Sequence, residues 1–125
     1  MSAASAQSLP PDYHTHNHLC KHAAGVPLDY ARVAETAGVP HIAATDHCPT
    51  DDRYGQEHRM ELAQFPDYLA LVAHAQRDAA LPVLLGVEAD YYRGCERFLA
   101  PHLERHPFDV VLGSVHFINY FGAPT

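Results

Sequence analysis

The sequence predicts an α/β fold, a parallel sheet whose strands alternate with covering helices. Three observations predict it. Short, continuously apolar runs of strand length recur along the chain, as expected for strands buried on both faces. Between them, apolar residues return at three- and four-residue spacing, the mark of helices packed on one side. Finally, each run leads onto side chains able to bind a metal: His14 and His16, then His47, Glu88 and His116. Sites of α/β folds gather at the carboxyl ends of parallel strands, which is how a barrel lines its mouth. A closed (β/α) barrel takes about 250 residues, so a chain of 125 residues holds roughly half of one.

The elements follow in order. Residues 1–11 are Ala, Ser, Gln and Pro without periodicity, closing on Pro10-Pro11, and read as a disordered leader before a domain over 12–125. Asp12 to His16 forms a short strand on which His14 and His16 alternate onto one face. Pro27 opens a helix carrying Tyr30, Ala31, Val33, Ala34 and Ala37, which Gly38 and Pro40 end. His41 to Thr45 is a buried strand running into Asp46-His47. Met60, Leu62, Phe65, Leu69, Val72, Ala73 and Gln76 mark a second helical region, broken or restarted at Pro66 and ended by Pro82. Val83 to Val87 is a third strand ending on Glu88. Cys95 to Arg105 is a helix with Pro101 inside it, and Phe108 to Val115 a fourth strand ending on His116.

Composition narrows the function. A formal charge of −7 with only eight Lys and Arg argues against a nucleic-acid partner, because phosphate neutralisation needs clustered cations. The longest apolar run, Leu81 to Val87, is far too short to span a membrane, and no signal peptide is visible, so no membrane partner is expected. Cys20, Cys48 and Cys95 contain no C-x-x-C pair and suit a reducing, cytoplasmic setting; Cys20 and Cys48, each beside a histidine motif, are either near a metal or, more ordinarily, small buried thiols. No G-x-S-x-G elbow, P-loop or G-x-G-x-x-G is present.

Eleven histidines remain to be explained. In His14-Thr15-His16 two imidazoles stand about 6 to 7 Å apart on one side of a strand, within reach of one cation. His22 alone reads as an ordinary loop histidine. Asp46, beside His47, is either a ligand or a carboxylate behind one. Glu88 at a buried strand end is costly unless it is paired, for example with Arg93, or bound to metal. Jointly, five histidines and one carboxylate exceed what one ion uses and imply a cluster of two or three divalent ions, zinc, manganese or iron rather than magnesium or calcium. The matching chemistry is hydrolysis, with metal-bound hydroxide expected as nucleophile. Arg59 is either a holder of substrate phosphate or carboxylate or, more ordinarily, a solvated surface side chain. His18, His58, His74, His102 and His106 are expected to face solvent.

In combination, Asp12-Tyr13-His14-Thr15-His16, Leu19-Cys20-Lys21-His22-Ala23, Thr45-Asp46-His47-Cys48-Pro49, Gly86-Val87-Glu88-Ala89-Asp90-Tyr91 and the Pro107-Phe108-Asp109 to Gly113-Ser114-Val115-His116-Phe117 segment resemble the histidinol-phosphate phosphatases of the PHP (polymerase and histidinol phosphatase) superfamily. The resemblance runs from Asp12 to Phe117. It implies the N-terminal half of a distorted (β/α)7 TIM-like barrel, a trinuclear metal site, and hydrolysis of L-histidinol phosphate, a small phosphorylated substrate, in histidine biosynthesis. It places metal ligands on His14, His16, His22, His47, Glu88 and His116, with Glu88 resembling a bridging carboxylate, and matches Arg59 to an Arg-Met pair before the second helix. The family's later ligands, a histidine and a D-x-H pair, have no counterpart before Thr125. The expectation is therefore a barrel truncated at its C-terminus with an exposed apolar sheet edge, and the competing reading is a non-catalytic metal-binding fragment that dimerises or docks with a complementing C-terminal half. A metal-dependent amidohydrolase shares H-x-H but fits the Cys-Lys-His-Ala and Gly-Ser-Val-His segments less well.

Because imidazoles bind metal only when neutral, metal occupancy should fall as pH drops below about 6. Metal analysis after dialysis across that range checks this, and occupancy unchanged in acid contradicts a histidine-rich site.

Overall fold

The computed structural model describes residues 9–118. Within them, β1 (Asp12–Thr15), α1 (Pro27–Ala37), β2 (Ile42–Ala44), α2 (Phe65–Asp78), β3 (Val83–Asp90), α3 (Glu96–Arg105) and β4 (Val110–Ser114) alternate as the sequence predicts. The strands form one parallel sheet in the order β1-β2-β3-β4. Of the expected leader, residues 9–11 are exposed and the remainder lies outside the described residues, as do residues 119–125.

Local chemistry sets the helix ends. Pro27 sits in the first turn of α1, the Asp29 carboxylate accepts the Val26 N–H at 2.9 Å, and Gly38 at φ 85° ends the helix in the left-handed region that glycine tolerates. Pro66 does not break a helix but starts one, lying in the first turn of α2 where its missing N–H costs nothing. Pro101 does lie inside α3.

The helices cover the sheet with Ala31, Ala34, Phe65, Tyr68, Val72 and Ala75, packed onto Ile42, Ala44, Val83 and Val87. Tyr68 is fully buried, and its hydroxyl lies 2.8 Å from Ala44 O and 2.6 Å from Gly86 O, tying α2 to the end of β2 and the middle of β3. Space is tight at Gly86, where an added Cβ would meet Val110 O at 2.6 Å and Thr45 Cγ2 at 2.9 Å. Any side chain there would force β3 away from its neighbours.

Two details depart from the sequence reading. β3 does not end at Glu88 but runs on to Asp90, pairing Glu88 with Leu112 and Asp90 with Ser114. The second departure is His102, which is not solvent-facing: it is 2% exposed, ringed by Phe65, Phe98, His106 and Phe108, and its Nε2 has no hydrogen-bond partner. It lies on the inward side of α3, where the period of the helix and the aromatic neighbours override its polarity.

Burial, reinforced by the neighbouring His106 and Arg105, pushes His102 down from 6.5 to about 4. The unfolded chain therefore takes up this proton first, so stability contributed by neutral His102 is full above about pH 6.5 and is lost as pH falls toward 4. Between pH 7 and pH 5 the protein should lose on the order of 2 kcal/mol more stability than its His102→Leu variant. Urea unfolding at the two pH values measures this, and parallel losses would contradict a buried neutral imidazole.

Candidate metal centre

The carboxyl ends of the four strands and the loops after them place the candidate side chains around one cavity of about 400 Å³, lined by His14, His16, His22, His47, His58, Arg59, Glu88, Asp90, His116 and Phe117. All six residues expected as ligands are there. So is His58, which is exposed as expected but stands at this cavity, its ring 5.8 Å from that of His22.

Each arrives by a traceable local device. His14 and His16 alternate onto one face at the end of β1, with ring centroids 5.2 Å apart. Asn17 is buried, caps the following turn by accepting Leu19 N–H at 2.8 Å, and donates its own N–H to Asp46 Oδ1 at 2.8 Å. Lys21 then adopts φ 73°, and its ammonium is anchored 2.7 Å from both Gln56 O and Glu61 Oε2. This reversal returns His22 to the cavity, 5.4 Å from the His16 ring and 5.5 Å from that of His47. His47 is brought beside Glu88 by an isolated parallel bridge in which Glu88 N–H donates to Asp46 O at 2.8 Å and Cys48 N–H to Glu88 O at 2.9 Å. His116 follows β4 by two residues.

At the centre stands Glu88, 3% exposed. Its Oε1 lies 2.9 Å from His14 Nε2, 3.0 Å from His16 Nε2 and 3.8 Å from His47 Nε2, and its Oε2 lies 3.4 Å from His116 Nε2. The Glu88 ion pairs found among the described residues are with histidines rather than with Arg93. Burial opposes ionisation of Glu88, but the hydrogen bond from His14 and the charge of His47 hold its carboxyl below the usual range.

Behind this ring lies a second carboxylate. Asp90 Oδ2 is 2.9 Å from His47 Nδ1 and accepts from Arg59 Nη2, while Oδ1 accepts from Ser114 Oγ and lies 3.3 Å from His116 Nδ1. Burial would raise Asp90, yet the hydrogen bonds from His47, Ser114 and Arg59 prevail and hold it well below the usual carboxylate range. Arg59 is not solvated, being 1% exposed. The signal for Asp90 was in the sequence: Glu88-Ala89-Asp90 is one more alternation of the same strand.

The donor set fits a divalent cation. A neutral imidazole carries one N–H. When neutral, His47 and His116 with Nδ1 toward ionised Asp90 turn their Nε2 lone pairs to the carboxylate oxygens of Glu88, a contact that is repulsive until a proton or a metal cation lies between them. The spacing agrees, since two ligands each about 2.1 Å from a tetrahedral ion stand about 3.4 Å apart. Three overlapping groups have donor atoms within 4.8 Å of one another: His14, His16 and Glu88; His47, Glu88, Asp90 and His116; and His16, Cys20 and His22. Burial, then the charge of His47, pushes His16 down to about 4, so it is neutral at ordinary pH. Its Nδ1 is buried without a hydrogen bond, 3.5 Å from Asp46 Oδ1. Asp46 is raised by burial to about 7, and its Oδ2 also lacks a partner.

Comparisons with known proteins find relatives of this chain. A curated Deinococcus radiodurans protein named "Probable histidinol-phosphatase" is 41% identical over 113 residues, covering 89% of this chain and 44% of that protein. A Listeria monocytogenes protein assigned as a histidinol phosphatase has the same fold, with a TM-score of 0.74 at 23% identity over 86% of this chain and 45% of its own. The histidinol phosphate phosphatase of Lactococcus lactis, crystallised with zinc, L-histidinol and phosphate, gives a TM-score of 0.67 at 22% identity, covering 86% of this chain and 40% of its own. The chain thus spans less than half the length of each. The α/β half-barrel of parallel strands and helices read from the sequence is the fold of these neighbours. A family model described as PHP domain matches residues 12–124, and the chain belongs to the PHP domain family.

Proposed function

We propose that this chain carries the strand-end metal site of a histidinol-phosphatase-type phosphomonoesterase, which hydrolyses L-histidinol phosphate to L-histidinol and phosphate in histidine biosynthesis. The observation that carries the reading is the convergence of four imidazole Nε2 atoms on the buried carboxylate of Glu88. His14, His16, His22, His47, Glu88 and His116 would hold two or three divalent ions, with zinc favoured by the nitrogen-rich donor set and by its presence in the Lactococcus structure. Bound there, the ions would supply charge neutralisation to the oxygens of a phosphomonoester.

The protein's own groups divide the remaining work. Glu88, within reach of both the His14–His16 pair and the His47–His116 pair, suits the bridging role. The cavity is open at the His14 and His116 side, where both rings are partly exposed, and buried at the Glu88 side. A phosphoryl group would therefore enter past the exposed rings with the rest of the substrate toward solvent. Arg59 lines the cavity but is 1% exposed and bonded to Asp90, which favours a supporting role over direct capture of phosphate. The buried free cysteines suit a reducing cytoplasm, and no helix among the described residues is long and apolar enough to cross a membrane.

A second reading is favoured by the outer edge of β4. This strand ends the sheet among the described residues, and Val111 and Val115 are 46% and 66% exposed. An apolar sheet edge suits pairing with a second copy or with a complementing half that completes the site.

Purified chain loaded with Zn²⁺ should release phosphate from L-histidinol phosphate, and chelation should abolish the release. Glu88→Gln should lower it by at least about 10-fold, the scale expected when a metal's surroundings are disturbed. Zinc binding without turnover would select the second reading, and turnover indifferent to chelator would contradict the metal assignment.

A further inference from the structure

Proximity alone groups Asp90 with His47, Glu88 and His116 as a possible ligand. The hydrogen-bond geometry separates it from them. We infer that Asp90 is a positioning residue that aims His47 and His116 at the metal, and that buried Arg59 holds Asp90 in place. This rests on the metal reading above and adds to it which carboxylate binds and which one orients.

A carboxylate offers about four lone-pair positions. Those of Asp90 face His47 Nδ1 at 2.9 Å, Arg59 Nη2, Ser114 Oγ and His116 Nδ1 at 3.3 Å, and the side chain is 1% exposed. Three of these positions accept hydrogen bonds, from His47, Arg59 and Ser114, and His116 Nδ1 stands toward the fourth, so an ion would have to displace a partner. Glu88 differs in kind, because what faces its oxygens is the Nε2 edge of each ring.

The consequence for the rings is a fixed tautomer. An imidazole that donates its Nδ1 proton to a carboxylate presents a lone pair at Nε2 on the far edge of the ring. For His47 and His116 that edge is the one facing Glu88, at 3.8 and 3.4 Å. One carboxylate thus orients histidines from two different strand ends, β2 and β4, about a residue of β3.

Arg59 is built to stay where it is. Nη1 donates to Cys48 O at 2.6 Å, Nε donates to Gly55 O at 3.3 Å, Nη2 donates to Asp90, and the guanidinium lies 5.4 Å from the centre of the Tyr54 ring. Gly55 leaves room for it: at φ 54° a Cβ would come within 3.0 Å of Nη2. A guanidinium fixed by two backbone carbonyls and a carboxylate supplies the countercharge that a buried Asp90 requires.

Three measurements on the full chain test this. In metal-free wild type, nitrogen NMR should find the His47 and His116 rings protonated at Nδ1. Asp90→Asn should weaken Zn²⁺ affinity about 10- to 100-fold by chelator competition and release both rings into mixed tautomers. With Co²⁺ as probe, the visible bands of wild type and Asp90→Asn should coincide, because no ligand has been lost. Rings protonated at Nε2, unchanged zinc affinity, or bands shifted toward a lower coordination number would each overturn the inference. If Asp90→Asn fails to fold, the wild-type tautomers decide it without any substitution. A wild-type chain that binds no Zn²⁺ would overturn the metal reading itself, while the tautomers would still judge the orientation.

Discussion

Everything distinctive about this structure turns on one buried carboxylate met by the wrong edges of its neighbours. Glu88 is 3% exposed and has four imidazole Nε2 atoms between 2.9 and 3.8 Å away. Of those rings, His47 is hydrogen-bonded on its other edge to Asp90, and His116 Nδ1 lies 3.3 Å from the same carboxylate. At buried His47, a neutral ring sets lone pair against lone pair, which costs free energy that a fold of marginal stability does not sustain without compensation. A divalent cation among them would turn the His47 and His116 contacts favourable and replace the hydrogen bond from His14.

The scaffold is consistent with that demand. β3 supplies both carboxylates from alternate positions, and parallel pairing lets β2 and β4 deliver histidines to either side of it. The pairing is locked where it matters. Tyr68 holds the carbonyls of Ala44 and Gly86 just before the site, and Gly86 allows the close approach of β4. Stability and chemistry therefore meet on the same few residues of β3, and a disturbance at Gly86 would be felt two residues later at Glu88.

Much of this was legible in the sequence, for physical reasons. Continuous apolar runs can only be strands covered on both faces, so the parallel α/β order could be read directly, and a polar ligand at the end of such a run stands out against its surroundings. His22 could be placed only by resemblance, because what returns it to the cavity is the left-handed Lys21 and its anchors on Gln56 and Glu61, long-range contacts that no local pattern encodes. Asp90 went unassigned because the strand was ended at its first carboxylate, although alternation pointed one step further. From polarity alone Arg59 suits either a phosphate holder or a solvated surface, and His102 suits solvent. Each is buried for a specific reason: one neutralises Asp90, and the other faces an aromatic cluster on the inward side of α3.

The central claim is that the Nε2 edges converge on Glu88 because zinc or a similar ion belongs between them. X-ray absorption at the zinc edge of the loaded chain tests it most directly. The account predicts nitrogen and oxygen neighbours at about 2.0 to 2.2 Å with the outer-shell signature of several imidazoles. A dominant sulfur neighbour at about 2.3 Å, or zinc without imidazole scattering, would contradict it.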